Sequence, residues 1–579
     1  MTGGGLVRDI YTLDAVISQC TSAPFVSFDI EAKVAQRGKG LDLYDRGNHV
    51  SGFSVKAPGK PAWYISLRHP DSPNFPSALK RIWPHIQHKT LGHNSLAFDA
   101  IMLNQHEGLP LPTGGRDTLT MMPLENENLV GDSMHSAYAL KGWCSRKFGK
   151  EAVKSEQALA LWAVSNGLNP KSDIWRMPAS RVAEYACDDV VLVERAAEYL
   201  DARFQQLGLV DLAKEYNDYR RLLTEMEVAG LDIDWPLVQQ YRDEATMRAA
   251  EAKGRLCALA GKEVNPGSPL QMMKLLNVSS TEKWQVKRLV VQGNELAKAL
   301  WSWRRWSKAA STFYEPFLRC RHNDVLHPAF RFVRTGRLSC FEPNFHATPH
   351  YSEEYKVKDV FTAPPGHDIV LFDWSQAELR LCAHYTQDPD MMQAFTEGRD
   401  LHQMVANELG LSRDTSKTIN FGAAYGLGPE KMARDLGCTK GEAKRWLDKY
   451  HARFTGPRTL YRRMGTLAEK QRWIRMWDGR YRRFDTVRNF PRTASNSLLQ
   501  GGVGGMARTA MLRLWEECPW FQQRLQIHDA ILAYVPEGIE RMDLLHAKRV
   551  MEDFDFRLPM PVDVKRGKTW GDLRKVVFE

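Results

Sequence analysis

Two separate stretches of the chain place carboxylates where metal-assisted phosphate chemistry could use them. "PFVSFDIEAK" reads as a short buried strand with Phe25, Val26 and Phe28 apolar, and it carries Asp29 and Glu31 two residues apart. In a strand both side chains leave the same face. Carboxylates that close repel unless a cation joins them; an acidic strand end facing water is the blander reading. "LGHNSLAFDAIML" adds Asn94 and Asp99 ahead of an apolar helical pattern. "RVAEYACDDVVLV" puts Tyr185 and Asp189 four apart, on one helix face. Asp188 is turned about 100° away. Asp29, Glu31, Asp99 and Asp189 could hold two divalent cations, since hard ions take carboxylate oxygens. Two such ions can clamp the attacking and leaving oxygens in phosphodiester hydrolysis.

A second set lies toward the carboxy terminus. In "GHDIVLFDWSQAELRLCAHY" the apolar run Ile369–Phe372 reads as a buried strand that delivers Asp373 at its end. A helix N-cap is the alternative for that Asp. In "RDTSKTINFGAAYG", Arg413, Lys417, Phe421 and Tyr425 recur every four residues. On a helix each step drifts about 40°, so they form one slanted stripe. Its cationic end suits a triphosphate and its aromatic end suits a base. Gly422 and Gly426 are costly helix choices and imply close packing. In "LQIHDAILAYV" the alternation on either side of His528–Asp529 predicts a two-stranded hairpin. Locally, Asp529 is no more than a turn residue.

The elements holding these residues must belong to several domains, because 579 residues exceed one ordinary core. No apolar run approaches the roughly 20 residues that cross a bilayer, and the start shows no signal-peptide core. An intracellular, cytoplasmic protein without membrane contact is expected. The nine cysteines contain no CxxC pair, which argues against structural zinc and a disulfide framework. A net charge of +10 suits a polyanion partner only weakly. Clustering is more informative: "WSWRRWSK" sets Arg304, Arg305 and Lys308 among tryptophans, and "QRWIRMWDGRYRRF" adds Arg472, Arg475, Arg480, Arg482 and Arg483. Such clusters can bind phosphates and stack on bases, or they can be solvated faces.

Taken in order, DxE, N-x4-D and Y-x3-D resemble the three motifs of the DEDD-type 3′–5′ exonucleases, in the subclass with Tyr. The resemblance implies that Asp29, Glu31, Asp99 and Asp189 bind two metals while Tyr185 orients the attacking water. "DWSQAELR", "RDTSKTINFGAAYG" and "QIHDAILAYV" resemble motifs A, B and C of family A DNA polymerases. "TGRLSCFEPNFHATP", "RDLHQMVA" and "RTASNSLLQGG" add matches in family order.

An α/β multidomain chain is therefore expected. A ribonuclease H-like exonuclease domain (residues 1–210) would precede a right-hand polymerase (211–579). The thumb would lie near 235–330, the palm at 331–389 and 491–579, and the fingers at 390–490. The resemblance implies that Asp373, Asp529 and the Trp374 backbone carbonyl hold two Mg²⁺ ions, with Mn²⁺ a possible substitute. Arg413, Lys417 and His402 match contacts to the incoming phosphates. Phe421, Tyr425 and Gln376 match other dNTP positions, and Glu378 matches the residue that excludes a 2′-hydroxyl. Arg337, Gln500 and His528 match primer–template contacts. Arg492 and Asn496 match template-side positions, and Arg304 and Lys308 are further DNA-binding candidates.

The implied activity is primer extension with dNTPs plus proofreading of the single-stranded 3′ end, by a monomer. Its compactness suggests phage genome replication in a bacterial host cytoplasm. Two departures stand out: motif C reads His-Asp-Ala where relatives have His-Asp-Glu, and "PNFHATP" replaces "PNLQNIP". No 5′-nuclease region is expected before the exonuclease, nor a processivity insertion in the thumb. A single-subunit RNA polymerase is the runner-up, opposed by Glu378 and the proofreading motifs. A chemically silent polymerase-shaped binding module is opposed by the intact carboxylates.

Overall fold

The computed structural model describes residues 4–38, 40–71, 73–129, 137–349, 354–485 and 489–578. The chain divides into two compact units: Met1–Val228 with Gly479–Arg483, and Ala229–Asp478 with Phe484–Glu579. The division falls later than residue 210 because helix Val210–Ala229 is bonded into the first unit. Its Asn217 Oδ1 accepts from the Asp117 N–H at 2.9 Å. The Glu227 carbonyl accepts from the Tyr44 hydroxyl at 3.0 Å.

The first unit is built on a mixed six-stranded sheet. Its order is Gly5–Leu6, Ala62–Ser66, His49–Lys56, Val26–Lys33, Thr90–Gly92, Arg116–Asp117. Strand Val26–Lys33 runs antiparallel to His49–Lys56 and parallel to Thr90–Gly92. Val26, Phe28 and Ile30 enter a core with Ile82 and Trp83. Alternation then sends Asp29 and Glu31 to the opposite face, against which helix Ala179–Leu207 packs.

Residues 479–483 also belong to this unit. Arg482 and Arg483 form ion pairs with Glu127 at 3.1 and 2.8 Å, and Arg482 is buried. These two members of the basic cluster are thus neither a solvated face nor free phosphate ligands.

The second unit centres on an antiparallel five-stranded sheet. Its order is Gln522–Ile527, Ala530–Pro536, His367–Trp374, Val562–Gly567, Arg574–Lys575. The first two strands are the expected hairpin, and His528–Asp529 form its tip. Helix Phe490–Glu517 is buried along most of its length and packs on helices Ala377–Thr386 and Gly456–Gln471. Helix Arg413–Ala424 carries the stripe, with Tyr425 capping its end. The close packing foreseen at its glycines is present. Gly426 has φ +65°, and a Cβ there would meet the Tyr461 ring at 2.1 Å; a Cβ on Gly422 would meet Met432 at 2.9 Å. Helix Trp235–Ala260 packs along Glu295–Lys308, the helix that bears Arg304 and Lys308.

Candidate active sites

In the first unit, Asp29, Glu31 and Asp189 each offer a carboxylate oxygen within 4.8 Å of the other two. The strand supplies two acids from one face, and the helix that covers this face supplies the third. Asp99 is buried beside them, but it stands outside this triple. Its Oδ1 accepts from the Ile30 N–H at 3.0 Å, which ties it to the backbone between the two strand acids.

Burial raises the affinity of every one of these acids for protons. Glu31 and Asp99 are pushed up to about 8, and Asp29 lies well above its ordinary range through burial and then Asp99. Asp189 is raised by burial and held down by Lys141. Buried like charges can ionise together only if a cation joins them. The donor set consists of hard oxygens, so it fits Mg²⁺ or Mn²⁺.

Lys141 belongs to none of the sequence motifs. Its ammonium lies 2.9 Å from Asp189 Oδ1 and 3.3 Å from the centre of the Tyr185 ring. A lysine near a helix start carries no sequence signal for such a place.

In the second unit, antiparallel pairing sets Asp373 opposite Ala530. The Trp374 N–H donates to the Asp529 carbonyl at 3.2 Å, so two residues more than 150 positions apart become neighbours. Burial and the nearby Asp529 raise Asp373 to about 7, while Lys565 and Lys417 oppose the rise. Burial also raises Asp529, against the pull of Arg337, His528 and Lys417. Lys417 therefore acts electrostatically on both acids.

His528 adopts φ +57°, a left-handed conformation that is unfavourable for a non-glycine residue. Its carbonyl accepts from the Gln526 side chain. His346 buttresses the tip from below: its Nε2–H donates to the Gln526 carbonyl at 2.7 Å, and its ring centre lies 5.9 Å from that of His528. Of the unusual "NFH", His346 therefore supports the hairpin. Phe345 packs between Phe317 and Phe361.

Glu378 accepts from both Arg337 and the Tyr425 hydroxyl. Arg337 Nε also donates to the Gln500 carbonyl at 3.2 Å. Two of the predicted contact residues, Arg337 and Tyr425, thus meet at the carboxylate of a third, Glu378. Arg413 pairs with Asp400 at 2.7 Å.

His402 is 2% exposed, and burial lowers it to about 4. Its Nδ1 takes the Asn420 amide N–H at 2.9 Å. His402 is therefore a neutral hydrogen-bonding ring rather than the cation a phosphate contact suggests. The Gln376 Oε1 and Asn496 Oδ1 atoms are buried with no protein partner among the described residues. Arg492, Asn496 and Gln500 follow at intervals of four along one helix.

Arg304 turns inward and donates to the Thr281 carbonyl at 2.5 Å. Lys308 lies 6.0 Å from the Phe313 ring centre. Asp563, unmarked in the sequence, sits opposite Asp373 on the strand that flanks it on the other side from Ala530, and it pairs with Lys575 at 2.7 Å.

Among the described residues, no helix is long and apolar enough to cross a membrane. Residues 236–572 match DNA polymerase family A. The chain belongs to that family. It is 24% identical to DNA polymerase I of Rhizobium leguminosarum over 98% of its own length and 61% of the relative's. It is 29% identical to DNA polymerase I of Geobacillus stearothermophilus over 62% of its length and 47% of the relative's. The chain thus spans about half to three-fifths of these relatives.

A solved structure, the POL domain of Pol1 from M. smegmatis in complex with DNA primer–template and dNTP, matches with TM-score 0.80 at 21% identity. The match covers 98% of this chain and 99% of that one. The polymerase fold is shared across the whole length.

Proposed function

We propose that this chain extends a DNA primer with dNTPs along a template, and that its first unit removes nucleotides from single-stranded 3′ ends. The observation that carries the synthetic reading is the Asp373–Asp529 pair, joined through the Trp374–Asp529 backbone bond and acted on by Lys417. Mg²⁺, the usual ion of this family, would supply at both carboxylate centres the charge that activates an attacking oxygen and neutralises a leaving one. In the second unit, Asp373, Asp529 and the Trp374 carbonyl would hold it. In the first, Asp29, Glu31, Asp189 and Asp99 would.

The remaining work falls to residues that position and neutralise, which is what phosphoryl transfer mostly requires. Lys417 and Arg413 face the triphosphate, and His402, whose Nδ1 is taken by Asn420, has Nε2 left to donate. Phe421 and Tyr425 flank the new base. Glu378, held by Arg337 and Tyr425, presents a fixed wall to the sugar, and a 2′-hydroxyl is rejected because it meets that wall. Arg337, Gln500 and His528 bear on the primer end, and Arg492 and Asn496 on the template. Tyr185 orients the water at the excising site. A synthetic and an excising centre on one chain suit genome copying, as in a phage replicase.

Primer extension by the purified protein with Mg²⁺, each dNTP and each NTP tests the synthetic reading. Release of nucleotides from a 3′-labelled single strand tests excision. Absence of extension with dNTPs refutes the first, and efficient use of NTPs refutes the role given to Glu378.

A further inference from the structure

Lys141 lies in the first turn of helix Leu140–Phe148, an element that contributes none of the four acids. It is 8% exposed. A lysine ammonium leaves water at a high cost unless it finds opposite charge and polar company. Here it finds both. Nζ stands 2.9 Å from Asp189 Oδ1, on one of the three acids whose oxygens approach each other within 4.8 Å. It also lies over the face of the Tyr185 ring, 3.3 Å from its centre, where the ring's quadrupole attracts a cation. Its field acts on Asp29, Glu31 and Asp189 alike. Tyr185 and Asp189 are the two functional residues of a single helix, and Lys141 touches both.

We infer that Lys141 is a resident cation of the Asp29–Glu31–Asp189 centre, which positions Tyr185 and Asp189 and competes with a divalent metal for Asp189. A divalent cation drawn to Asp189 meets the positive charge of Nζ already standing against Oδ1, and the two charges repel. Metal entry is therefore opposed by Nζ, which the ion can push away from that oxygen. An ammonium pushed away from Asp189 still has the face of the Tyr185 ring to hold it. The lysine is a positioning residue, because it reaches the reacting atoms only through Tyr185 and Asp189. The inference deepens the excision reading and rests on it for the role of Tyr185.

The test uses the full chain with Asp373→Ala, so that the second carboxylate centre does not contribute. Mn²⁺ affinity is measured by the electron paramagnetic resonance signal of free Mn²⁺. Relative to that background, Lys141→Met should bind Mn²⁺ at least tenfold more tightly, because a competing charge has gone. At saturating Mn²⁺ it should excise 3′ ends at least tenfold more slowly, because Tyr185 has lost its support. Lys141→Arg, which keeps the charge, should hold Mn²⁺ affinity within threefold and recover part of the excision rate.

Unchanged or weaker Mn²⁺ binding in Lys141→Met, with an unchanged melting temperature, overturns the inference. If Lys141→Met does not fold, a tenfold tightening in Lys141→Arg overturns it instead. A protein with Lys141 intact that excises nothing at any Mn²⁺ concentration refutes the excision reading, while the affinity comparison still decides the competition.

Discussion

The Trp374 backbone N–H donates to the Asp529 carbonyl at 3.2 Å, and this bond ties the end of the central strand, which carries Asp373, to the hairpin tip that carries Asp529. Neither acid could be placed by its own neighbourhood. Asp373 ends a strand, and Asp529 occupies a two-residue hairpin tip that His346 braces through Gln526.

Asp373→Ala and Asp529→Ala should each lower primer extension by several orders of magnitude while single-strand excision persists. Parallel extension and degradation assays on the same preparation check this. Normal extension by either variant would refute the ligand assignment.

The double variant Asp29→Ala with Glu31→Ala should abolish excision and leave primer extension within a few-fold. Excision at the unsubstituted rate would show that the acidic triple is not a hydrolytic centre.

Without metal, stability should depend on pH in a particular direction. Asp373 titrates near 7 in the fold against an ordinary value of 3.8. The native state therefore keeps its proton where the unfolded chain has lost it. The stability this contributes is fully present below about pH 4 and is lost as pH rises to about 7, a change on the order of a few kcal/mol. Glu31 and Asp99 extend the decline to about 8. In EDTA, Asp373→Asn should gain melting temperature over the unsubstituted protein at pH 8 and lose that gain at pH 4. Mg²⁺ should stabilise the unsubstituted protein more at pH 8 than at pH 5. An equal Mg²⁺ effect at both values would contradict the raised proton affinity of these acids.

Glu378→Ala removes the acceptor shared by Arg337 and Tyr425. The ratio of NTP to dNTP incorporation should rise at least tenfold, read from single-nucleotide extension. The rate with dNTPs should fall as well, because Arg337 and Tyr425 both lose their anchor. An unchanged ratio would mean that sugar selection lies elsewhere.

Ala530, at which motif C departs from the family pattern it resembles, stands directly across from Asp373, and Asp563 stands across from it on the other side. If Asp373, Asp529 and one carbonyl suffice, Ala530→Glu should change extension by less than tenfold. Asp563→Asn should also stay within tenfold, because Asp563 is engaged with Lys575. A gain of orders of magnitude in Ala530→Glu would show that a ligand is missing.

The sequence by itself determined which residues are candidates for the chemistry. Alternation marked the strand at Asp29 and Glu31 and the hairpin around Asp529, a spacing of four put Tyr185 with Asp189, and the same spacing aligned Arg413, Lys417, Phe421 and Tyr425. These patterns are legible because side-chain direction repeats every 2.0 residues in a strand and every 3.6 in a helix. Tertiary structure alone decided who meets whom. It brought Lys141 onto Tyr185, tied Asp99 to Ile30, set His346 beneath His528, buried Arg482 against Glu127 and turned Arg304 toward Thr281. Such contacts join segments tens to hundreds of residues apart. Local periodicity says which face a side chain leaves from, and only the packing of that face against a distant element says what it finds there.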